Sequence, residues 1–548
     1  MKSRGLRWKL PAVVVASALV LTGCAGGGTT PEPSSTSSEP RWGGALVVSL
    51  SDDVSIFNDN YDAESRFPYV APNIFSRLIN YDFPTTTFHG DLATEWEVDD
   101  EGKTYTFSLR DDVLWHDGEK FDAADVVFTY SSILEHGADA TTYSLYKNIE
   151  SVTAPDDHTV VFVLKEPSSV FLAQLTDYYG AWILPEHLFG TADPREAAAN
   201  QAPVGTGPFK FVEKVTGDHV TLERNPDYFG QVPYVDKLVF RTIPNRSTAI
   251  AALKAGEIHF STASPGFAEI DGLESSPQLN VEITPSEIFQ WINFNVQRPI
   301  VSDPNVRKAI AMAIDTTQLN EIVYFGKAVP GSTIFRHGHW AADPKITQPK
   351  QDIEESKRLL DAAGYPVKAD GTRFTLNYTT WNTSIFGGPE LAQIVKQQLK
   401  EVGIGVDIEQ NEFSMFNERV RVNHDFDMNA SGGLHGPDPD AWSTFFLSTS
   451  SRNDGQFMNP QLDDLLNQGR TVQGEEARKE VYSKVQQVLA DELPRINLVE
   501  YVDARTTSKK THDYWWEKGA TQSKIGQDMY NTVWMDSGQT SAPEGIKG

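Results

Sequence analysis

The only cysteine in the chain is Cys24, so no internal disulfide can brace the fold and a buried apolar core has to hold it together. The residues ahead of Cys24 read as an export leader. Lys2, Arg4, Arg7 and Lys9 form a basic start, and residues 10–21 follow as an apolar run. A bilayer core of about 30 Å needs about 20 apolar residues to span it. The run is therefore too short for a transmembrane helix and fits the central region of a signal peptide, placed at 1–23. Residues 24–40 continue as AGGGTTPEPSSTSSEP behind the cysteine. They show no apolar periodicity, and their Gly, Ser, Thr and Pro content is that of a flexible tether.

Without the leader, 525 residues remain, enough for two or three domains. Hydrophobic residues make up 39% of the chain and aromatic residues 11%, which suits a packed globular body. The leader carries four cations and no acids, so its loss takes the formal charge from −28 to −32. So acidic a body repels nucleic acid and anionic headgroups, and no basic tract offsets this.

Strand and helix signals interleave along the body. Ala45–Leu50 is an apolar strand-like run ending in Ser51-Asp52-Asp53. Residues 105–110 alternate apolar and polar, and Thr159–Leu164 is β-branched behind a Pro155-Asp156-Asp157 turn. Residues 123–133 have helical spacing between them. Further helices are expected at Val306, Ile310 and Ala313 behind Ser302-Asp303-Pro304, at 353–363 ahead of Gly364, at Leu391, Ile394, Val395 and Leu399, and at Val481, Val485, Val488 and Leu489 ahead of Pro494. Strands at 374–379 and 405–408 lie among these helices. Interleaving of this kind predicts α/β layers.

Two resemblances are carried by particular residues. Leu21-Thr22-Gly23-Cys24 resembles the lipobox of bacterial lipoproteins, which implies cleavage before Cys24 and lipid on its sulfur. The body resembles the extracellular solute-binding proteins of family 5, the peptide, dipeptide and nickel class of ABC importers. Five stretches carry that likeness in order: Asp91-Leu92-Ala93-Thr94-Glu95-Trp96 running on to Trp115-His116-Asp117-Gly118; Pro203-Val204-Gly205-Thr206-Gly207-Pro208-Phe209 with Arg224-Asn225-Pro226-Asp227-Tyr228; 249–257; Asn293-Phe294-Asn295 with 303–315; and Pro437-Asp438-Pro439-Asp440. Glycines and proline at 205–208 suit a tight backbone passage between domains.

The likeness implies a two-lobed periplasmic-binding-protein clamp of type II with a third domain, the architecture called cluster C. Lobe I would take 41–86, 203–287 and 498–548, an inserted domain 87–202, and lobe II 288–497. Solute would lie between the lobes and be passed to the permease and ATPase subunits of an importer, outside the membrane and beside a lipid anchor. Short peptides are the implied cargo, with oligosaccharides second and a nickel or metal chelate third; a sensory or adhesive lipoprotein is the reading from another class. In many peptide-binding members an Asp-Tyr pair precedes the Pro-Asp-Pro, and its aspartate meets the ligand's amino group. Here His435 holds the aspartate's position and Gly436 the tyrosine's, leaving Asp438 or Asp440 as possible substitutes. Gly432, Gly433 and Gly436, around His435, would let a peptide approach the backbone closely, and Leu434 between them is a further candidate. Trp291, Trp381, Asn382 and Trp442 are the second-lobe candidates, with Trp381-Asn382 expected to face the cleft. Asp52, Asp53 and Phe57 are those of the first lobe.

Enzyme signatures are missing from the sequence. There is no Gly-x-Ser-x-Gly elbow and no His-Glu-x-x-His, Gly102-Lys103-Thr104 lacks the upstream glycine of a phosphate loop, and Gly205-Thr206-Gly207 is followed by Lys210 where a dinucleotide fingerprint needs glycine. No cofactor is implied. His337-Gly338-His339 brings two imidazoles together, but a transition-metal site needs three or four converging ligands.

Overall fold

A computed structural model describes residues 39–548 except 62–68, 83–86, 178–179, 181, 192, 383–387, 435–437, 515–529, 545 and 547–548. The framework is a mixed sheet that passes through both lobes of an α/β clamp. Its strand order begins Ile404–Asn411, Phe374–Trp381, Met428–Leu434. It then passes through the long pair Leu279–Phe294 and Arg495–Ser508. It continues Phe260–Ser261, Ala45–Leu50, Lys237–Thr242, His219–Arg224, Phe209–Val215.

The long pair belongs to both lobes. At about 3.3 Å per residue, strands of 16 and 14 residues reach about 45–50 Å, enough to run through one lobe and into the other. Their antiparallel register holds from Leu279↔Ser508 to Pro285↔Val502, breaks, and resumes at Phe289↔Glu500. The break puts extra residues on one strand just after a proline that has no N–H to donate, which is where a paired ribbon bends most easily.

Each lobe has its own core. In lobe II one face of the sheet (Ile292, Phe294, Ile496, Leu498) packs on the helices Pro304–Ala313 and Gly388–Lys400. The opposite face (Phe289, Trp291) packs on Trp442, Phe446 and Tyr482. Near-complete burial along Arg495–Ser508 follows from this cover on both faces. A separate four-stranded antiparallel sheet, Ala93–Val98, Thr104–Leu109, Thr159–Leu164, Ile149–Asp156, carries the helix Ala123–His136, whose Tyr130 meets Phe162 edge-on at 4.9 Å. This module shares its core with lobe I.

Local signals account for most of the helices. Asp303 caps Pro304–Ala313 by accepting from the Asn305 N–H at 2.8 Å, with Pro304 at the first position. Asp122 and Asp125 form a reciprocal capping box on Ala123–His136. Gly364 and Gly403, at φ 87 and 82, end the helical segments ahead of them, as expected. The strand Met428–Leu434 had no local signal, because Gly432-Gly433 erases any alternation. The helix Pro460–Thr471 does carry one: Asn459 accepts from the Leu462 N–H at 3.0 Å, Pro460 opens the helix, and Leu462, Leu465 and Leu466 share its buried face.

Candidate ligand-binding site

The strand directions place the site. In lobe I, Ala45–Leu50 runs parallel to Lys237–Thr242 and Phe260–Ser261, with Leu50↔Thr242 and Ser49↔Ser261. In lobe II, Phe374–Trp381 runs parallel to Ile404–Asn411 and Met428–Leu434, with Trp381↔Asn411. Leu434 lies opposite Ile288, at the break in the long pair. Ser261 lies opposite Thr506, a few residues from the same break. The carboxyl edges of both parallel sheets therefore open toward the hinge, and a crevice outside such edges is where open α/β sheets hold ligands.

At the lobe II edge Trp381 is half-buried, and its ring lies 4.7 Å from that of Phe413, which is 48% exposed. Asn382 is exposed and donates its amide to Glu412 Oε1 at 2.6 Å. Together they form an aromatic ledge with a polar rim. At the lobe I edge Asp52 is exposed and accepts from the Ser51 hydroxyl at 2.8 Å. The neighbouring Asp53 accepts from the Val54 and Gly217 N–H groups, both at 3.0 Å, and so pins a hairpin turn. Phe57 is buried edge-on against Phe211.

Other expected residues are engaged by the protein itself. Trp291 is 1% exposed. Its ring is covered by the Arg495 guanidinium at 4.0 Å and by Phe445 at 5.6 Å. The space beside Gly433 is filled by that indole, since a Cβ there would lie 3.0 Å from Trp291 Cη2. Asp438 holds both terminal nitrogens of Arg478 at 2.7 Å and caps the short turn Pro439–Trp442. Asp440 accepts from Arg470 Nε at 2.6 Å. Leu434 ends its strand at the crevice; Cys24 and His435 lie outside the described residues.

The hinge itself contributes charges the sequence reading did not single out. Arg505 donates to Asp503 Oδ2 at 2.9 and 2.5 Å, and the Ser264 hydroxyl donates to Asp503 Oδ1 at 2.7 Å. Burial pushes the nearby Tyr69 phenol up to about 12 and raises the Glu282 carboxyl. Glu500, 4% exposed, is likewise raised by burial, against the pull of His337, whose backbone N–H and Nδ1 lie 2.9 and 2.7 Å from its two oxygens. Arg495, Glu500, Asp503 and Arg505, four charges within one strand-like run rich in Ile, Leu and Val, were the available signal. His339 stacks between Phe335 and Trp340. Among the described residues no group of three or more His, Cys, Asp or Glu converges as a metal site, and no helix is long and apolar enough to cross a membrane.

Residues 87–456 match the family model described as bacterial extracellular solute-binding proteins, family 5, middle region. The chain belongs to this family. The family 5 protein is similar to the oligopeptide-binding protein AppA of Bacillus subtilis, with 28% identity over 90% of this chain and 93% of that one. Its fold matches the Helicobacter pylori periplasmic binding protein DppA in complex with the peptide STSA (28% identity, TM-score 0.73, 91% and 99% covered). It also matches the ABC transporter substrate-binding protein CtaP of Listeria monocytogenes (25% identity, TM-score 0.81, 90% and 100% covered).

The motifs that carry the family likeness are scaffold in this family 5 protein. A Cβ at Gly205 would lie 1.8 Å from Ile74 O and one at Gly207 2.7 Å from Ile74 C, so only glycine fits the passage. His116 clamps it. Its Nδ1 accepts from the Gly205 N–H at 3.2 Å, Nε2 lies 3.0 Å from Gly207 O, and its own N–H donates to Gly205 O at 2.9 Å. Burial drives this imidazole down to about 4. Asn225 donates to Gly207 O at 3.1 Å from the other side.

Proposed function

We propose that the chain is an extracytoplasmic receptor that captures short peptides between its lobes and delivers them to the permease and ATPase subunits of an ABC importer, without chemical turnover. The observation that carries this reading is the facing of two parallel-sheet carboxyl edges across a bent two-strand hinge. The peptide held by a relative 28% identical over nearly the whole chain supports the cargo class. Exposed Asp52 and the Trp381–Phe413 ledge are the surfaces we assign to solute, with Asn382 and Glu412 at its polar rim. Cys24 is assigned to lipid attachment on the strength of Leu21-Thr22-Gly23-Cys24.

The proposed division is lobe I at 41–86, 203–287 and the C-terminal segment, an inserted domain at 87–202, and lobe II at 288–497. The register break at 285–289 and the separate four-stranded sheet support it. Arg495 pairs with Asn293 and Glu500 with Phe289, so this strand approaches the register break as it leaves lobe II.

The test is a melting-temperature panel of peptides, sugars and metal chelates. A ligand at 100 times its Kd adds about 2.7 kcal/mol, and peptides are expected to do so. No shift with any peptide would sink the cargo claim, and consumption of a bound solute would sink the receptor claim. An oligosaccharide is the second reading, favoured by the exposed aromatic face with its amide and carboxylate beside it. A shift with sugars alone would select it. Replacement of Cys24 by serine is expected to release the protein from the membrane fraction.

A further inference from the structure

The second long strand of the hinge opens on a buried cation. Arg495 is 6% exposed, and its guanidinium lies among four rings: Trp291 at 4.0 Å, Phe446 at 4.7 Å, Phe445 at 5.2 Å and Trp442 at 5.4 Å. Ring faces attract a cation but do not neutralise it. Nε donates to Asn293 Oδ1 at 2.7 Å, while Nη1 has no hydrogen-bond partner among the described residues. Asp454 is the carboxylate that acts on this charge, yet its own ion-pair contact is with Arg421 Nε at 3.9 Å. Burial holds the guanidinium down to about 9 against the pull of Asp454, and Arg452 adds to the fall.

A small cavity adjoins this arginine. Arg495, Asn497, Gln348, Gln486, Thr333 and Phe446 are among its lining residues, and its volume is about 30 Å³, room for about two water-sized groups. Asn497 stands two residues along the strand and so shares the face of Arg495. It is buried, and its Oδ1 also lacks a partner among the described residues. Both glutamine amides are already spent on backbone: Gln348 donates to Gly331 O and Asn497 O at 3.0 and 2.6 Å, and Gln486 to Ala341 O and Tyr482 O at 2.9 and 3.0 Å. The cavity stands apart from the crevice. Arg495 pairs with Asn293, five residues before Glu500 at the register break, which is about 16 Å along an extended strand.

We propose that this cavity is a binding site for a small monoanion, chloride or a formate-sized carboxylate, held between Arg495 Nη1 and the Asn497 amide. A water could bridge the two orphan atoms, but it would leave the buried charge uncompensated, and that is the costly part. A monoanion answers both. Turned over about its last torsion, the Asn497 amide presents its NH2 and gives the ion a second donor. The ion then sits where the lobe II sheet, the loop carrying Thr333 and Gln348, and the helix Glu475–Glu492 meet. There it ties the three together as a structural element of lobe II. The site is independent of the solute between the lobes.

The experiment follows the melting temperature of the full chain carrying C24S, with no peptide or sugar present. Sodium chloride or sodium formate replaces sodium gluconate, whose anion is too large for the cavity, at constant ionic strength. A saturable rise is expected, about 2–3 °C at a hundred times the Kd for a chain of this size, and the salt that saturates first identifies the preferred ion. Absence of a saturable rise with both salts refutes the site. R495M removes the charge and should abolish the rise. N497D sets a fixed carboxylate at the cavity in place of the ion and should also abolish it, which keeps the test open if R495M fails to fold. A rise in either variant equal to that of the parent places the ion elsewhere and refutes the assignment. Crystals grown in sodium bromide should show an anomalous peak within hydrogen-bond distance of Arg495 Nη1, and a cavity without that peak would refute it as well.

Discussion

Protonation of His116 should unlock the glycine passage between lobe I and the inserted module. The folded protein uses Nδ1 as an acceptor for the Gly205 N–H, so a second ring proton would put two donors face to face. Burial is the main reason the imidazole titrates near 4 instead of 6.5, with Lys210 adding to the effect, while the Gly207 carbonyl and Asp117 oppose it. The unfolded chain takes up this proton near 6.5 and the folded chain does not until near 4. The stability contributed by the neutral histidine is therefore complete above pH 6.5 and is lost as the pH falls toward 4. A gap of about 2.5 units at 1.36 kcal/mol each limits the loss to about 3 kcal/mol. The assay is urea unfolding followed by tryptophan fluorescence between pH 4 and 8, on the parent and on H116Q. All other titrating groups are common to the two proteins, so their difference isolates this ring. H116Q should be less stable at pH 7.5 by about 1–3 kcal/mol, for the misplaced hydrogen bonds to Gly205 and Gly207, and the gap should close or reverse by pH 4. Parallel curves across that range would refute the assignment of a neutral, clamping imidazole.

Removal of the Asp438 carboxylate in D438A leaves Arg478 buried without its bidentate partner, and a loss of about 3 kcal/mol in unfolding free energy is expected; a loss below about 1 kcal/mol would show the pair to be dispensable. G433A drives a methyl against the Trp291 indole and should cost about 1–3 kcal/mol by overpacking, read as a lower urea midpoint, with relief in the W291F background. W381A removes a half-buried ring from the crevice ledge. It should weaken solute binding by about tenfold in calorimetry, while a fall in melting temperature as large as that of D438A would place the ring in the core instead.

The sequence determined the helices and the class of fold because their signals are answered locally. Asp303 meets the Asn305 N–H two residues on, and Gly364 supplies positive φ at a helix end. Nothing distant enters, so Val306, Ile310 and Ala313 could be placed on one buried face from spacing alone. The crevice was legible only in outline. A tryptophan in a strand is a candidate for ligand or core until its face is known. Trp291 turns inward because its strand pairs with Arg495–Ser508 two hundred residues away, which lays the Arg495 guanidinium over its ring. Trp381 ends a strand whose parallel neighbour stops level with it, and so remains at the edge. Asp438 looked available to a ligand's amine until the fold brought Arg478, forty residues downstream, against both of its oxygens. Caps and turns are satisfied within a few residues of chain, so the sequence states them outright. The facing of a side chain in a two-sided sheet, and the partner of a buried charge, are set by segments hundreds of residues apart, and tertiary structure alone decides them.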